Sequence, residues 1–436
     1  MGKKIVFVLL ALVLVAGFAT GACAKKPEPT PPPAPPPTTA PPTTPTPTPT
    51  PTPPPPETPF EWPTVPLRMG SPSSWSSTYL TCAAWTPIME KETGLKWRVM
   101  PESTSPNVVK WLKSGDLEFW GNMLDPAAAA IEGLYGYASR DSGPLPITVV
   151  WQLDMNFAGM CTMGDSGIKT FDDIKPGTRW PLWTGSPTNF AIYAAIRAWF
   201  DYTEEELPYI PFGDYGSASQ AIGDGKADIN LIPVFSGSAF ELAAKPAGLH
   251  WMEFPEDEEA EARFYEWANK TWLDVVRQDC ALYGMRAIFV PGGLMTLSTT
   301  DADLVYNIVK WLDDDENFAL FKDKFPSCAH MTLEQFRQNL NHAYLPVHEG
   351  TVRYLKEKRS WTEADDRRNE CNTRLIEWYM KEYQDTIDKA DAQGIEVSPS
   401  NEAWVTMWTD HKAELNMPRI QLRSDDEIIE VLKLLP

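Results

Sequence analysis

Histidine and cysteine are scarce in this chain: 5 and 6 among 436 residues. No two cysteines stand in a CxxC spacing, which excludes a cysteine-based zinc cluster. Lys and Arg total 38 against 59 Asp and Glu, a net charge of −21, so a basic face for nucleic acid is missing. Beyond the first twenty residues there is no long apolar run, so no spanning helix is expected after that point. The acidic run Glu253 to Glu261 lacks the spacing of a calcium loop and reads as a solvated face. His348-Glu349 is followed by Gly350-Thr351-Val352, not by the second histidine of a zinc-protease motif, and His348 reads as structural. Gly164-Asp165-Ser166-Gly167 resembles a serine-protease signature only superficially, because no histidine precedes His250 to serve as base.

What is abundant is proline, 42 in all. Much of it lies between Lys26 and Glu61, almost entirely Pro and Thr, a composition that cannot bury a core and extends as polyproline II. At ~3.1 Å per residue that segment spans up to roughly 100 Å. Before it, Lys3 and Lys4 precede the apolar run Ile5 to Ala19, the pattern of a secretory signal peptide over 1–22. Cys23 follows Thr20-Gly21-Ala22, which is similar to a bacterial lipobox, although Thr20 replaces the usual Leu. The expectation is a lipidated Cys23 and a tether over 23–62, so that the chain is exported and anchored at the outer face of the cytoplasmic membrane or in the periplasm. Five cysteines then remain (Cys82, Cys161, Cys280, Cys328, Cys371), enough for one or two disulfides in an oxidising compartment, with at least one free thiol.

From Pro66 the same order of parts occurs twice. The first pass has a strand over Leu67 to Gly70, the Ser71-Pro72 turn with its run of serines, and a helix from about Tyr79 to Glu92. A strand over Leu95 to Met100, a helix opened by Ser105-Pro106-Asn107 and ended by Gly115, a strand over Asp116 to Trp120, and an alanine-rich helix capped by Asp125-Pro126 follow. The second pass has a strand over Arg179 to Trp183, then Gly185-Ser186-Pro187 with Ser186 as N-cap and a helix to Phe200. A strand over Tyr209 to Phe212, a helix opened by Ser217, a strand over Ala227 to Phe235, and a helix after Ser236 to Ser238 complete it. Strands alternating with helices imply parallel α/β units. Two such units predict two lobes with a cleft between them, and in open α/β sheets ligands sit at the carboxyl ends of strands, where these helix starts lie. The lobes are expected at 63–147 with a return over 291–357, and at 148–290, linked through Pro144 to Gln152 and again near Ala287 to Ser298. A helical extension over 358–436 is expected to pack on the body.

Ser166-Gly167-Ile168-Lys169, Phe171-Asp172-Asp173-Ile174 with Gly177, and Gly185-Ser186 with Thr188 resemble the core motif of the TAXI family, the extracytoplasmic solute receptors of TRAP-type transporters. Pro176 and Pro187 depart from it. Asn107 with Gly115-Asp116-Leu117, Asp224-Gly225-Lys226-Ala227-Asp228, and Leu345 to Tyr354 extend the resemblance over about Leu67 to Glu357, with Glu349 and Thr351 departing. The resemblance implies a two-lobed, periplasmic-binding-protein-like (type II) α/β fold that closes on a small, usually carboxylated solute and delivers it to a membrane permease. Neither a catalytic set nor a cofactor is expected. The candidate ligand contacts are the helix starts: Ser73, Ser74, Trp75, Ser76, Ser77, Thr78, Tyr79, Ser105 and Asn107 in one lobe. Gly185, Ser186, Thr188, Asn189, Ser236, Gly237 and Ser238 are the candidates in the other. Hydroxyls and backbone N–H groups at a dipole end suit a carboxylate. Trp75, Trp151 and Trp183 are candidates for stacking on the solute, and Arg140, Arg179 and Arg286 for a carboxylate clamp. Two other readings stay open at this point: the binding protein of an ATP-driven importer, and a surface carbohydrate-binding protein suggested by the tether and the 18 tryptophans.

Overall fold

The computed structural model describes residues 60–436. The expected signal peptide, the lipidated Cys23 and nearly all of the tether lie outside the described residues. The first lobe opens with β1 (Leu67–Ser71), α1 (Ser77–Thr93), β2 (Trp97–Pro101), α2 (Ser105–Ser114), β3 (Phe119–Met123) and α3 (Leu124–Ile131). β4 (Ile147–Met163) then crosses to the second lobe. That lobe holds β5 (Trp180–Trp183), α4 (Thr188–Trp199), β6 (Tyr209–Phe212), α5 (Tyr215–Gln220), β7 (Asn230–Pro233), α6 (Gly237–Ala244), β8 (Leu249–Met252), α7 (Glu258–Trp267) and β9 (Trp272–Val275). β10 (Arg286–Leu297) returns, followed by α8 (Ala302–Leu312), α9 (Asp315–Phe321), α10 (Leu333–Leu340) and α11 (Glu349–Glu357). The extension is α12 (Glu363–Ala392), α13 (Glu402–Glu414) and α14 (Asp425–Leu434).

The main sheet runs β2-β1-β3-β10-β4-β7. β1 is parallel to β2 and β3, whereas β10 is antiparallel to β3 and β4. β5 and β6 form a separate parallel pair. The two long antiparallel strands, β4 and β10, are therefore the crossings between lobes, and their register shifts between Gly292 and Gly293. An irregularity at adjacent glycines is where a paired ribbon bends most easily. This is the two-lobed arrangement that the repeated order of parts predicts, and the type II fold that the resemblance implies.

The internal repeat is written in one side-chain motif. Arg68 on β1 donates its backbone N–H and guanidinium to Glu118 and reaches Gly115 O. In the second lobe Arg179 donates its N–H and guanidinium to Asp228 and reaches Gly225 O. In both, the acid stands just before the third strand of its half. This explains why both third strands start later than the sequence suggests. Asp116 and Leu117 donate to Trp111 O and finish α2, so β3 begins at Phe119. Ala227 donates to Ala221 O, so β7 begins at Asn230.

Gly94 (φ 77°) and Gly115 (φ 76°) end α1 and α2 in the left-handed region, which costs a glycine nothing. The start of α4 differs from expectation. Pro187 is already helical (φ −59°, ψ −26°) and stands at the cap position, and Ser186 makes no side-chain cap; its Oγ pairs with Thr188 Oγ1 at 3.2 Å. α5 is opened by Asp214, whose carboxylate accepts the N–H of Ser217, rather than by Ser217 itself.

The expected disulfides are absent among the described residues. None of Cys82, Cys161, Cys280, Cys328 and Cys371 is in a disulfide, and all but Cys280 are buried. The extension packs into the first lobe: Leu375, Tyr379, Tyr383, Trp404 and Trp408 share one core with Trp85, Phe119 and Trp151. The second lobe carries separate cores around Trp199 and Phe254, Phe157 and Phe289, and Ala221 and Leu242.

Candidate functional site

The chain leaves β1, β3, β5 and β7 on the side facing the opposite lobe, and a cavity of about 150 Å³ lies there. The first lobe lines it with Pro72, Ser76, Ser77, Thr78, Asn122 and Asp125, and the second with Trp183, Ser186, Thr188, Asn189, Tyr215 and Asn230 among others. Four helices therefore start at its wall: α1, α3, α4 and α5. The first N–H groups of a helix lie outside its own ladder and carry the positive end of its dipole. At Ser76 one is satisfied locally, since its Oγ accepts the N–H of Tyr79 at 3.1 Å. Tilted aromatic and aliphatic walls, Trp180, Leu182, Ile192 and Val290, close the remainder. The indole N–H of Trp183 is buried and has no hydrogen-bond partner among the described residues, a donor that a bound molecule would satisfy.

The lobes are in contact around this cavity. Ser105 N–H donates to Gly185 O at 3.3 Å, and Gly237 N–H donates to Trp75 O at 2.9 Å. Trp75 is 45% exposed and lies across the gap on the second lobe: a Cβ added at Gly216 would be 3.0 Å from its Cδ1, and one at Gly237 3.2 Å from its Cε3. Thr188 of the second lobe and Asp125 of the first line the same wall, and the Thr188 hydroxyl favours the charged form of the Asp125 carboxyl.

Of the candidate contacts, Ser76, Ser77, Thr78, Ser186, Thr188 and Asn189 line the cavity. The others lie elsewhere. Ser73 is buried against its own turn, Ser74 and Asn107 are exposed, and Tyr79 points off the lining. Ser105, Gly185, Trp75 and Gly237 make the lobe-to-lobe contacts instead. Ser236 caps α6 by accepting the N–H of Ala239 at 3.1 Å, and Ser238 is buried behind it. Trp151 is fully buried in the first-lobe core and donates to Met331 O, so it cannot stack on a ligand. The arginine candidates are all committed: Arg140 to Asp391, Arg179 to Asp228 and Arg286 to Glu261. None of the three lines the cavity. His348 is structural: it caps α11 through Nδ1, which accepts the N–H of Gly350.

Sequence reasoning passes over Asp125, Asn122, Asn230, Tyr215 and Thr271. Asp125 reads as a helix cap from the Asp-Pro pair, yet α3 has no side-chain cap, and Asp125 sits in its first turn facing the cleft. Burial pushes its carboxyl up to about 6, with the Thr188 hydroxyl and the charge of Lys270 acting in the opposite direction. The usable signal is positional. Asn122, Asp125, Trp183 and Pro233 all stand at, or directly after, the carboxyl end of a strand.

A second opening, of about 40 Å³, lies behind Asp125 and Thr188, walled by Tyr135, Trp267, Lys270 and Arg419. Here the extension meets both lobes. Glu132 at the end of α3 is ion-paired with Lys270 of the second lobe at 3.1 Å, and its Oε1 also accepts the N–H of Ile420 at 3.2 Å. Gln421 accepts from the Asn269 amide, and Leu422 N–H donates to Asn269 O. Among the described residues no group of three or more His, Cys, Asp or Glu could hold a metal ion.

Similar solved structures include the following three. An R. palustris protein with adipate is 10% identical, over 69% of this chain and 98% of that one, at a TM-score of 0.43. The alkanesulfonate-binding protein from Xanthomonas axonopodis pv. citri bound to MOPS is 14% identical, over 77% and 94%, at 0.37. An ABC transporter's periplasmic substrate-binding protein from Coxiella burnetii is 13% identical, over 59% and 97%, at 0.38. No curated protein matches the sequence. Residues 74–358, which take in the first repeat from α1 onward, the whole second repeat, both crossing strands and every residue lining the main cavity except Pro72, match the model of the NMT1-like family, and the chain belongs to that family.

Proposed function

We propose that the protein is an extracytoplasmic solute receptor: it captures a small molecule between its lobes and releases it unchanged to a membrane permease. The observation that carries this reading is the cavity, enclosed by both lobes, polar at the helix starts and apolar between them. Ligand pockets have this make-up, a few placed polar groups in an apolar wall. Its volume admits a solute of a few heavy atoms to about a dozen. The solute's carboxylate is received at the start of α1, where Ser76, Ser77 and Thr78 supply hydroxyls, and opposite Ser186 and Asn189 of α4. The resemblance of the Ser166–Thr188 stretch to TAXI receptors favours a TRAP-type permease as partner. The basic, apolar N-terminus and Cys23 favour an exported, lipid-anchored chain, held off the membrane by its Pro/Thr tether.

Capture between lobes requires closure about the β4–β10 crossings. Gly237→Val tests this. A Cβ added there stands 3.2 Å from Trp75 Cε3, 3.4 Å from Trp75 O and 3.6 Å from Leu80 Cδ1, all first-lobe atoms, so the larger side chain wedges the lobes apart. The expected result is at least about tenfold weaker binding of the solute, since about 1.4 kcal/mol of closure energy is a factor of ten, with the melting temperature of the empty protein little changed. Calorimetric titration and a thermal melt check the two halves of that expectation. Unchanged affinity would place binding outside the cleft.

A further inference from the structure

We propose that Asp125 is a specificity-determining residue, and that the solute presents a protonated nitrogen to it; this rests on the receptor reading above. Among the described residues that line the main cavity, Asp125 is the only carboxylate, and no Lys, Arg or His is present. A lone half-buried carboxylate with no cation in its cavity and none paired to it is costly, and a binding site that keeps one has a use for it. The charged groups around it are accounted for. Lys270, the cation nearest it in the rear opening, is already held by Glu132 at 3.1 Å. The neighbouring ionisable groups are the phenols of Tyr137 and Tyr344, buried and neutral, with Tyr215 across the cavity. The Thr188 hydroxyl favours the charged form of the carboxylate. Asp125 offers acceptor positions, and an ammonium or amidinium group of the solute fits them.

The hydroxyls of α1 receive an anion and Asp125 receives a cation, both in one small cavity. The solute class is therefore a small zwitterion. A simple mono- or dicarboxylate would leave Asp125 either charged and unpaired or protonated.

The test is calorimetric titration of the full protein with L-amino acids and with the same acids lacking the amino group, for wild type and Asp125→Asn. At pH 7.5 the wild type is expected to bind at least one amino compound about 10–100-fold more tightly than its deaminated counterpart. Asp125→Asn is expected to reduce that preference to about threefold or less. In the wild type the affinity for the amino compound falls about tenfold from pH 7.5 to pH 5, because the carboxyl takes up a proton near 6. The variant also reports on its own folding. A carboxyl raised from 3.8 to about 6 in the folded protein binds more protons folded than unfolded between those values, so its charge costs stability as pH rises through that window. Asp125→Asn should thus raise the melting temperature of the empty protein by about 2 °C at pH 7.5 and leave it unchanged near pH 4. Equal binding of amino and deaminated probes, or a preference untouched in Asp125→Asn, overturns this proposal and leaves the receptor reading standing. Binding of neither probe class overturns this proposal, and binding of no small solute at all overturns the receptor reading with it.

Discussion

Glu132→Ala is expected to destabilise the protein by about 3–5 kcal/mol, the cost of removing one partner from a buried ion pair. The Glu132 side chain is 4% exposed and that of Lys270 is 14% exposed. Without the carboxylate, Lys270 keeps a charge that water reaches poorly, and the N–H of Ile420 loses its acceptor. The backbone carbonyl of Glu132, which accepts from Trp408 Nε1 and Lys412 Nζ, is unaffected. Most of the loss is thus assigned to the stranded lysine, and the double variant Glu132→Ala/Lys270→Met should recover about half or more of it. Urea denaturation at pH 7 measures both. A loss below about 1 kcal/mol would mean that water solvates Lys270 well enough for the pair to behave as a surface one.

Trp408→Ala is expected to cost a similar amount, about 3–5 kcal/mol. Trp408 is 1% exposed, packs edge-on against Tyr383 at 4.9 Å and donates to Glu132 O at 2.9 Å. Gly133 leaves room for it: a Cβ there would stand 2.8 Å from Trp408 Nε1. The extension lies beyond the matched family region, and an appendage merely resting on the first lobe would lose little on this truncation. A loss of several kcal/mol in a single cooperative transition would make α12 and α13 part of the first-lobe core. A separate early transition, leaving the main one unmoved, would make the extension an independent unit. Because Trp408 and Glu132 meet, the two variants should not be additive.

The two repeats were legible from residues of strong local meaning. Gly94 and Gly115 stop helices by their positive φ, and Ser76 and Ser236 cap helices with their own hydroxyls. Thr170 N–H and Oγ1 both donate to the Asp173 carboxylate, at the head of a 3-10 turn over Phe171–Asp173.

What failed had a shared cause: the same residue types serve local and long-range partners, and spacing cannot separate them. Ser71-Pro72 and Ser186-Pro187 look alike, yet Ser186 turns its hydroxyl to Thr188 because Pro187 has already entered the helix. Arg179 looks like a free clamp until Asp228, 49 residues on, takes its guanidinium. Asp125 looks like a cap, and only the arrival of α4 from the other lobe makes it a cleft residue. The extension shows a helical period, but period alone does not say that Trp404 donates to Ala138 O, or that Ile420 and Leu422 bond the first and second lobes respectively. The cysteine count suggested disulfides, whereas burial of Cys82, Cys161, Cys328 and Cys371 as apolar side chains satisfies them without any.

The most direct measurement is the thermal stability of the protein with a panel of small carboxylates, amino acids and sugars. If the cleft captures a small solute, one class should raise the melting temperature saturably, because a ligand present at about a hundredfold its Kd adds about 2.7 kcal/mol to the folded state. The expected class is a carboxylate-bearing solute, with its shift cut by about half or more in Gly237→Val. A shift produced only by sugars, or no shift from any member at millimolar concentration, would contradict it.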